Sequence, residues 1–196
     1  YLEGDVARKS HPTEALARRL CGYARTSMWS PGGALARWQV LDMDAADPGE
    51  SPPLRVDPYI LQFLQGSTEI DRELLDCATY VEPRSPLPQW PVDEVGRRIS
   101  RALEQGWPNR IWLVGQRFSG RRTLAACVAH SLGCSLVAVD TSRIREQNWP
   151  RVQVRIRRHA LLHGCAVAWS GGQALRACAG NDTKLPLEFG VLEPPG

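Results

Sequence analysis

The segment spanning residues 110–140, RIWLVGQRFSGRRTLAACVAHSLGCSLVAVD, contains the residues of this 196-residue chain best spaced for chemistry. Gly115 and Gly120 bracket four residues, and Arg121, Arg122 and Thr123 follow directly. Glycines at both ends of such a loop let backbone N–H groups turn inward and keep side-chain bulk away, which suits a bound phosphate. The flanking pattern reads as a buried strand (111–114), the loop (115–120), an amphipathic helix (121–132) and a second buried strand (135–140). That order is the strand, loop, helix and strand of a P-loop nucleotide site. Gly115, Ser119, Gly120, Arg121, Arg122 and Thr123 are therefore the candidate cofactor-binding residues, and ATP or ADP is the ligand the pattern implies.

Two letters depart from that pattern. A working loop has Lys, which reaches the outer phosphates, followed by Ser or Thr, whose hydroxyl binds magnesium. Here Arg121 keeps the charge without the compact point-charge geometry, and Arg122 removes the hydroxyl, with Thr123 one place late. A third apolar strand, 165–169, ends in Ser170-Gly171-Gly172-Gln173 and brings no carboxylate to hold the metal or orient water. These residues argue against bound magnesium and against hydrolysis, and no catalytic residue is assigned. Nucleotide binding through the loop N–H groups, the helix N-terminus and Arg121 is still compatible with them.

Other candidates carry less. His159 and His163 stand four apart on an expected helix, but no third ligand or metalloprotease Glu accompanies them, so an ordinary helical pair is expected. Asp140 ends the second strand and, with Thr141 and Ser142 behind it, reads as a cap for the next turn. Ser119 lacks the G-x-S-x-G frame of a hydrolase elbow. Trp90 and Trp107, among seven tryptophans, flank a linker and read as candidate partner anchors.

The surrounding elements divide the chain. Residues 13–24 have a helical period capped by Thr13 or Ser10, residues 35–42 and 53–56 read as strands, and Asp57-Pro58 opens a helix that ends at Gly66. Residues 71–78 read as another short helix. Four prolines between Glu82 and Pro91 deny that segment helix or paired strand, so 82–91 reads as an interdomain linker between domains 1–81 and 92–196. Beyond it come a helix over 92–103, the segment 110–140, a helix over about 152–163, the strand 165–169 and a short strand near 189–192. The fold class is α/β: a three-layer parallel-sheet core preceded by a small α+β domain.

Composition narrows the class. A formal charge of +3 is too small to imply nucleic acid. Six cysteines without a CxxC pair fit a reduced protein, and the absence of a signal peptide or long apolar run argues for a cytoplasmic location without a membrane span.

Three blocks resemble a known family: bacterial AAA+ ATPases with an N-terminal winged-helix-type domain that accompany extracellular contractile injection systems, which are phage-tail-like particles. YLEGDVARKSHPTEALARRLC resembles that family's helical block YLxDDVxRxxPxxxLALxLL. ARWQVLDM and LRVDPYILQFLQG resemble its wing strands and following leucine-rich helix, and VGQRFSGRRTLAACVAHSLGCSLVAVD resembles a phosphate loop that often reads GxxGSGRRTLA. The likeness covers most of residues 1–175. In that family the third strand often continues like LYLEGFD, which puts Ser170 and Gln173 in the places of the acids. It also implies a partial member, with Tyr1 inside the N-terminal domain and Gly196 before the sensor strand, arginine finger and helical lid.

The resemblance implies a catalytically degenerate AAA+ protein that acts as an assembly or interaction component, its partners being injection-system proteins or further copies of itself. An active ATPase powering assembly or loading is the enzymatic alternative. A winged-helix DNA-binding regulator is the third reading, and it would want a basic recognition helix; the only basic one available in the first domain is 15–25, with Arg18, Arg19 and Arg25.

Overall fold

The computed structural model describes residues 13–20, 30, 32–43, 53–107, 109–179 and 185–194. The chain divides into two compact units, Tyr1–Glu69 and Ile70–Gly196.

In the first unit, helix α1 (Glu14–Leu20) begins where Thr13 Oγ1 accepts from Leu16 N at 3.3 Å, the cap expected from sequence. Residues 21–24 of that expected helix lie outside the described residues. The strand expected over 35–42 is instead a short helix α2 (Ala34–Arg37) followed by strand β1 (Leu41–Met43). Ala, Leu and Arg are strong helix formers, and Gln39 at φ 52° breaks the run before the strand. Strand β1 pairs antiparallel with β2 (Leu54–Val56). Helix α3 (Pro58–Leu64) has Pro in its first turn, and Asp57 caps it by accepting from Tyr59 N at 3.0 Å. Tyr59 and Ile60 are buried, as the apolar face of that helix requires.

The second unit is a mixed α/β layer structure around a five-stranded, mostly parallel sheet. Its strands are β3 (Ala78–Val81), β4 (Asn109–Val114), β5 (Leu136–Asp140), β6 (Ala166–Ser170) and β7 (Leu187–Leu192), in the spatial order β3-β5-β6-β7-β4. Only β3 runs antiparallel, pairing Ala78 to Val139 and Val81 to Leu136. Helices α4 (Val92–Glu104) and α5 (Arg121–Ser131) cover one face, while α6 (Trp149–His163) and α7 (Ala174–Ala179) cover the other.

The period of two along each strand sorts side chains between these layers. Val137, Val139, Val167 and Trp169 join the core under α6, whereas Leu136, Ala166, Ala168, Leu187, Phe189 and Val191 join the core under α4 and α5. Ala166 and Ala168 meet the fully buried alanines of α5, so this helix sits close on the sheet. Trp169, with no exposed surface, contributes roughly 2–3 kcal/mol by its burial alone.

Two expectations are corrected here. Residues 71–78 do not form an α-helix: a single 3-10 turn (Arg72–Leu74) capped by Asp71 leads directly into β3. The Asp71 carboxylate is taken by α6, and Thr79, Tyr80 and Val81 favour a pleated strand. The unit boundary consequently lies at Glu69/Ile70 and not at 81/82, and the proline-rich 82–91 segment joins β3 to α4 inside the second unit. Its prolines stop β3 from continuing, which is a different task from separating domains.

Candidate functional site

The 115–120 loop leaves the carboxyl end of β4 and enters α5, so it lies at the edge of the sheet where open α/β folds bind ligands. Gly120 is the N-cap of α5 at φ 79°, a left-handed conformation suited to glycine. The benzo ring of Trp90 packs on it closely: a Cβ at Gly120 would lie 2.8 Å from Trp90 Cζ2. Phe118 also has positive φ, 62°, and its side chain is fully exposed at the tip of the loop. Within the loop Ser119 N donates to Gln116 O at 3.3 Å, which closes a turn around Phe118.

The six sequence-selected residues divide between this loop and the first turn of the helix. Gly115 N donates to Leu192 O at 3.2 Å, which fastens the start of the loop to the end of β7. Ser119 Oγ and the Arg121 side chain lie over Gly115, filling the space a larger residue would need. Arg121 folds back so that its Nη1 donates to Leu192 O. Arg122 reaches across to β6, where its Nη2 donates to Ser170 Oγ at 2.8 Å. Thr123 is half-buried in the helix, and no extra loop residue shifts it to the place of Arg122.

Around Ser170 the carboxyl ends of β5 and β6 are tightly tied. Ser170 Oγ donates to Val139 O at 3.1 Å, Thr141 Oγ1 donates to Ser170 O at 2.7 Å, and Gln173 N donates to Thr141 Oγ1 at 3.2 Å. Asp140 caps the following 3-10 turn, as expected from sequence, by accepting from Ser142 N at 3.1 Å and Ser142 Oγ at 2.6 Å. Burial pushes the Asp140 carboxyl up, but the Ser142 hydrogen bonds and the nearby guanidinium groups of Arg122 and Arg143 outweigh it and hold the group below its ordinary range. Arg117, on the loop itself, pairs with Glu193 at 3.0 Å in an exposed position.

What this arrangement can do chemically is bind negative charge. It combines the positive end of an eleven-residue helix with two arginines that hydrogen-bond to neutral oxygens. Among the described residues no group of three His, Cys, Asp or Glu side chains comes together to hold a metal.

The remaining sequence candidates are placed elsewhere. His159 is buried on α6, with Nε2 2.9 Å from Tyr80 Oη, and its ring centroid lies 4.5 Å from that of His163. Cys77, Cys127, Cys134 and Cys165 are free thiols, and burial pushes Cys165 up to about 12. An apolar cavity of about 200 Å³, lined by Leu103, Leu132, Cys134, Leu161, Cys165 and Leu187, lies at the amino ends of β5, β6 and β7, away from the loop. Among the described residues no helix is long and apolar enough to cross a membrane.

Sequence reasoning missed Trp90 as the wall of the loop and Leu192 O as the acceptor of Arg121. Trp90 carried a signal, since a large aromatic had to pack somewhere, but a backbone carbonyl carries none. No protein-family model and no curated protein matches the sequence.

Proposed function

We propose that this chain is a catalytically degenerate P-loop protein of AAA+ type, which binds a nucleotide without hydrolysing it and serves as an assembly or interaction component. The observation that carries this reading is the Arg122–Ser170 hydrogen bond at 2.8 Å, spanning the place where a working site would hold magnesium between a hydroxyl and an acid. The glycine-bounded loop, the left-handed Gly120 and the parallel strands on which it is built support nucleotide binding. Ser170 and Gln173 in the places of the acids argue against turnover.

The first unit is read as a winged-helix-type domain, supported by the helix α1, the β1–β2 pair and the helix α3. A bacterial, cytoplasmic setting beside a phage-tail-like injection system rests on the likeness of the three sequence blocks. Partners are then sheath, tube or baseplate proteins, or further copies of the chain.

Titration with a fluorescent ATP analogue, paired with a phosphate-release assay, tests this reading. Saturable binding that weakens at least about tenfold in Arg121→Ala, with no phosphate released, is the expected result; ~1.4 kcal/mol corresponds to that factor. Steady turnover by the purified chain would overturn it. Co-purification with tube or sheath proteins encoded alongside tests the assembly role.

A further inference from the structure

A P-loop ordinarily recruits a divalent cation between its Ser or Thr hydroxyl and the acid at the end of a neighbouring strand. Neither ligand is present here, and the residues that replaced them touch each other. Arg122 stands at the hydroxyl's position, Ser170 closes the third strand, and the two side chains meet at 2.8 Å. The proton of Ser170 Oγ is given to Val139 O at 3.1 Å, so its lone pairs face the guanidinium and not a metal. The carboxylate of Asp140, the register partner of Ser170, feels the Arg122 charge and is held by Ser142 at 2.6 Å and by Arg143 at 3.5 Å. Gln173 Oε1 is buried without a hydrogen-bond partner among the described residues, but it is a single neutral carbonyl. A hard dication that demands near-octahedral oxygen ligation finds no such set beside a fixed positive group. Magnesium does not fit these residues.

We propose that the Arg122 guanidinium takes the place of the divalent cation, so that the loop binds a polyphosphate free of metal. The inference rests on the reading of the 115–120 loop as a nucleotide site and adds the charge state of the ligand it takes. Two coupled replacements, a hydroxyl by Arg122 and an acid by Ser170, amount to moving the site's positive charge from a recruited ion into the chain. With Ser170 as a neutral acceptor, the guanidinium is oriented by one N–H and keeps its other donors for phosphate oxygens. Arg121, bonded to the neutral Leu192 O, supplies a second cation on the same loop.

The test is titration of the intact chain with a fluorescent ATP analogue, once in EDTA and once in excess magnesium, for the wild type and for the double variant Arg122→Ser/Ser170→Asp. Circular dichroism checks that both are folded. The wild type is expected to bind in EDTA at least as tightly as in magnesium. The double variant, which restores the metal ligands, is expected to lose affinity tenfold or more in EDTA and to recover it in magnesium. Arg122→Gln, which keeps a polar contact to Ser170 but no charge, is expected to bind at least tenfold more weakly in both buffers. Wild-type binding that tightens tenfold in magnesium would overturn the proposal while leaving the nucleotide site intact. Binding in neither buffer, by a folded wild type, would instead overturn the nucleotide site and this proposal with it.

Discussion

Tyr80 Oη and His159 Nε2 lie 2.9 Å apart, linking the antiparallel edge strand β3 to the buried face of α6. Burial pushes the Tyr80 phenol up to about 12, so it stays neutral at physiological pH. For His159, burial first and the charges of His163 and Arg158 next lower the imidazole to about 4, with Asp71 acting in the opposite direction. The pair is therefore a neutral hydrogen bond near pH 7.

That geometry sets an acid limit on stability. The folded value of about 4 lies below the ordinary 6.5, so as pH falls the unfolded chain takes up the proton first. The His159 contribution is complete above about pH 6.5 and shrinks as pH falls toward 4, by at most ~1.4 kcal/mol per unit. Urea unfolding at pH 7.5 and pH 5 is expected to show this loss, and His159→Leu is expected to flatten the dependence over the same window. An unchanged slope in the variant would assign the acid sensitivity to other groups.

Asp71 is a buried carboxylate that accepts from Arg155 at 2.5 Å and Arg158 at 3.2 Å. Asp71→Asn keeps the size but removes the buried carboxylate shared by Arg155 and Arg158, leaving Arg155 its weaker contact to the half-exposed Glu73 at 3.4 Å; the loss is about 3–5 kcal/mol. Urea midpoints measure the loss. Converting both arginines to methionine in the Asp71→Asn background is expected to return most of it, because an apolar set of similar volume needs no counter-charge.

Gly190 on β7 lies beneath the ring of Trp112 on β4, its register partner, so closely that a Cβ there would overlap the ring. Gly190→Ala is expected to destabilise by about 1–3 kcal/mol as the ring is forced aside. Adding Trp112→Ala removes the obstacle, so thermal or urea unfolding of the double variant is expected to show less than the sum of the single losses.

Gly120→Ala tests the loop itself. A side chain at φ 79° costs about 1–2 kcal/mol, and this one would also meet Trp90. Weaker binding of the fluorescent nucleotide, with only a modest drop in unfolding midpoint, is expected. Trp90→Ala in the same background should restore part of the binding by removing the collision.

The α/β class was legible because buried strands and amphipathic helices imprint local periods, as in 135–140 and 92–103. The loop was legible because a glycine at Gly120 answers a local backbone demand. What escaped was set by partners remote in sequence. Strand β3 is four residues long and becomes a strand only by pairing with β5, while Asp71 spends its carboxylate on α6 instead of extending a helix. Pairing of β4 with β7, and hence the contact of Arg121 with Leu192 O, likewise depends on a strand some seventy residues later. In the first unit, helix propensity within ALAR overrode an apparent strand alternation.

The Asp71–Arg155 and Asp71–Arg158 pairs join residues 84 and 87 positions apart. During synthesis the 70–81 segment therefore emerges long before the helix that will neutralise its acid and the strand β5 that will complete its ladder. Closing so long a span is entropically late, so this edge is expected to be among the last parts of the sheet to consolidate. Until β5 leaves the ribosome, residues 78–81 have no ladder partner and are available to other chains.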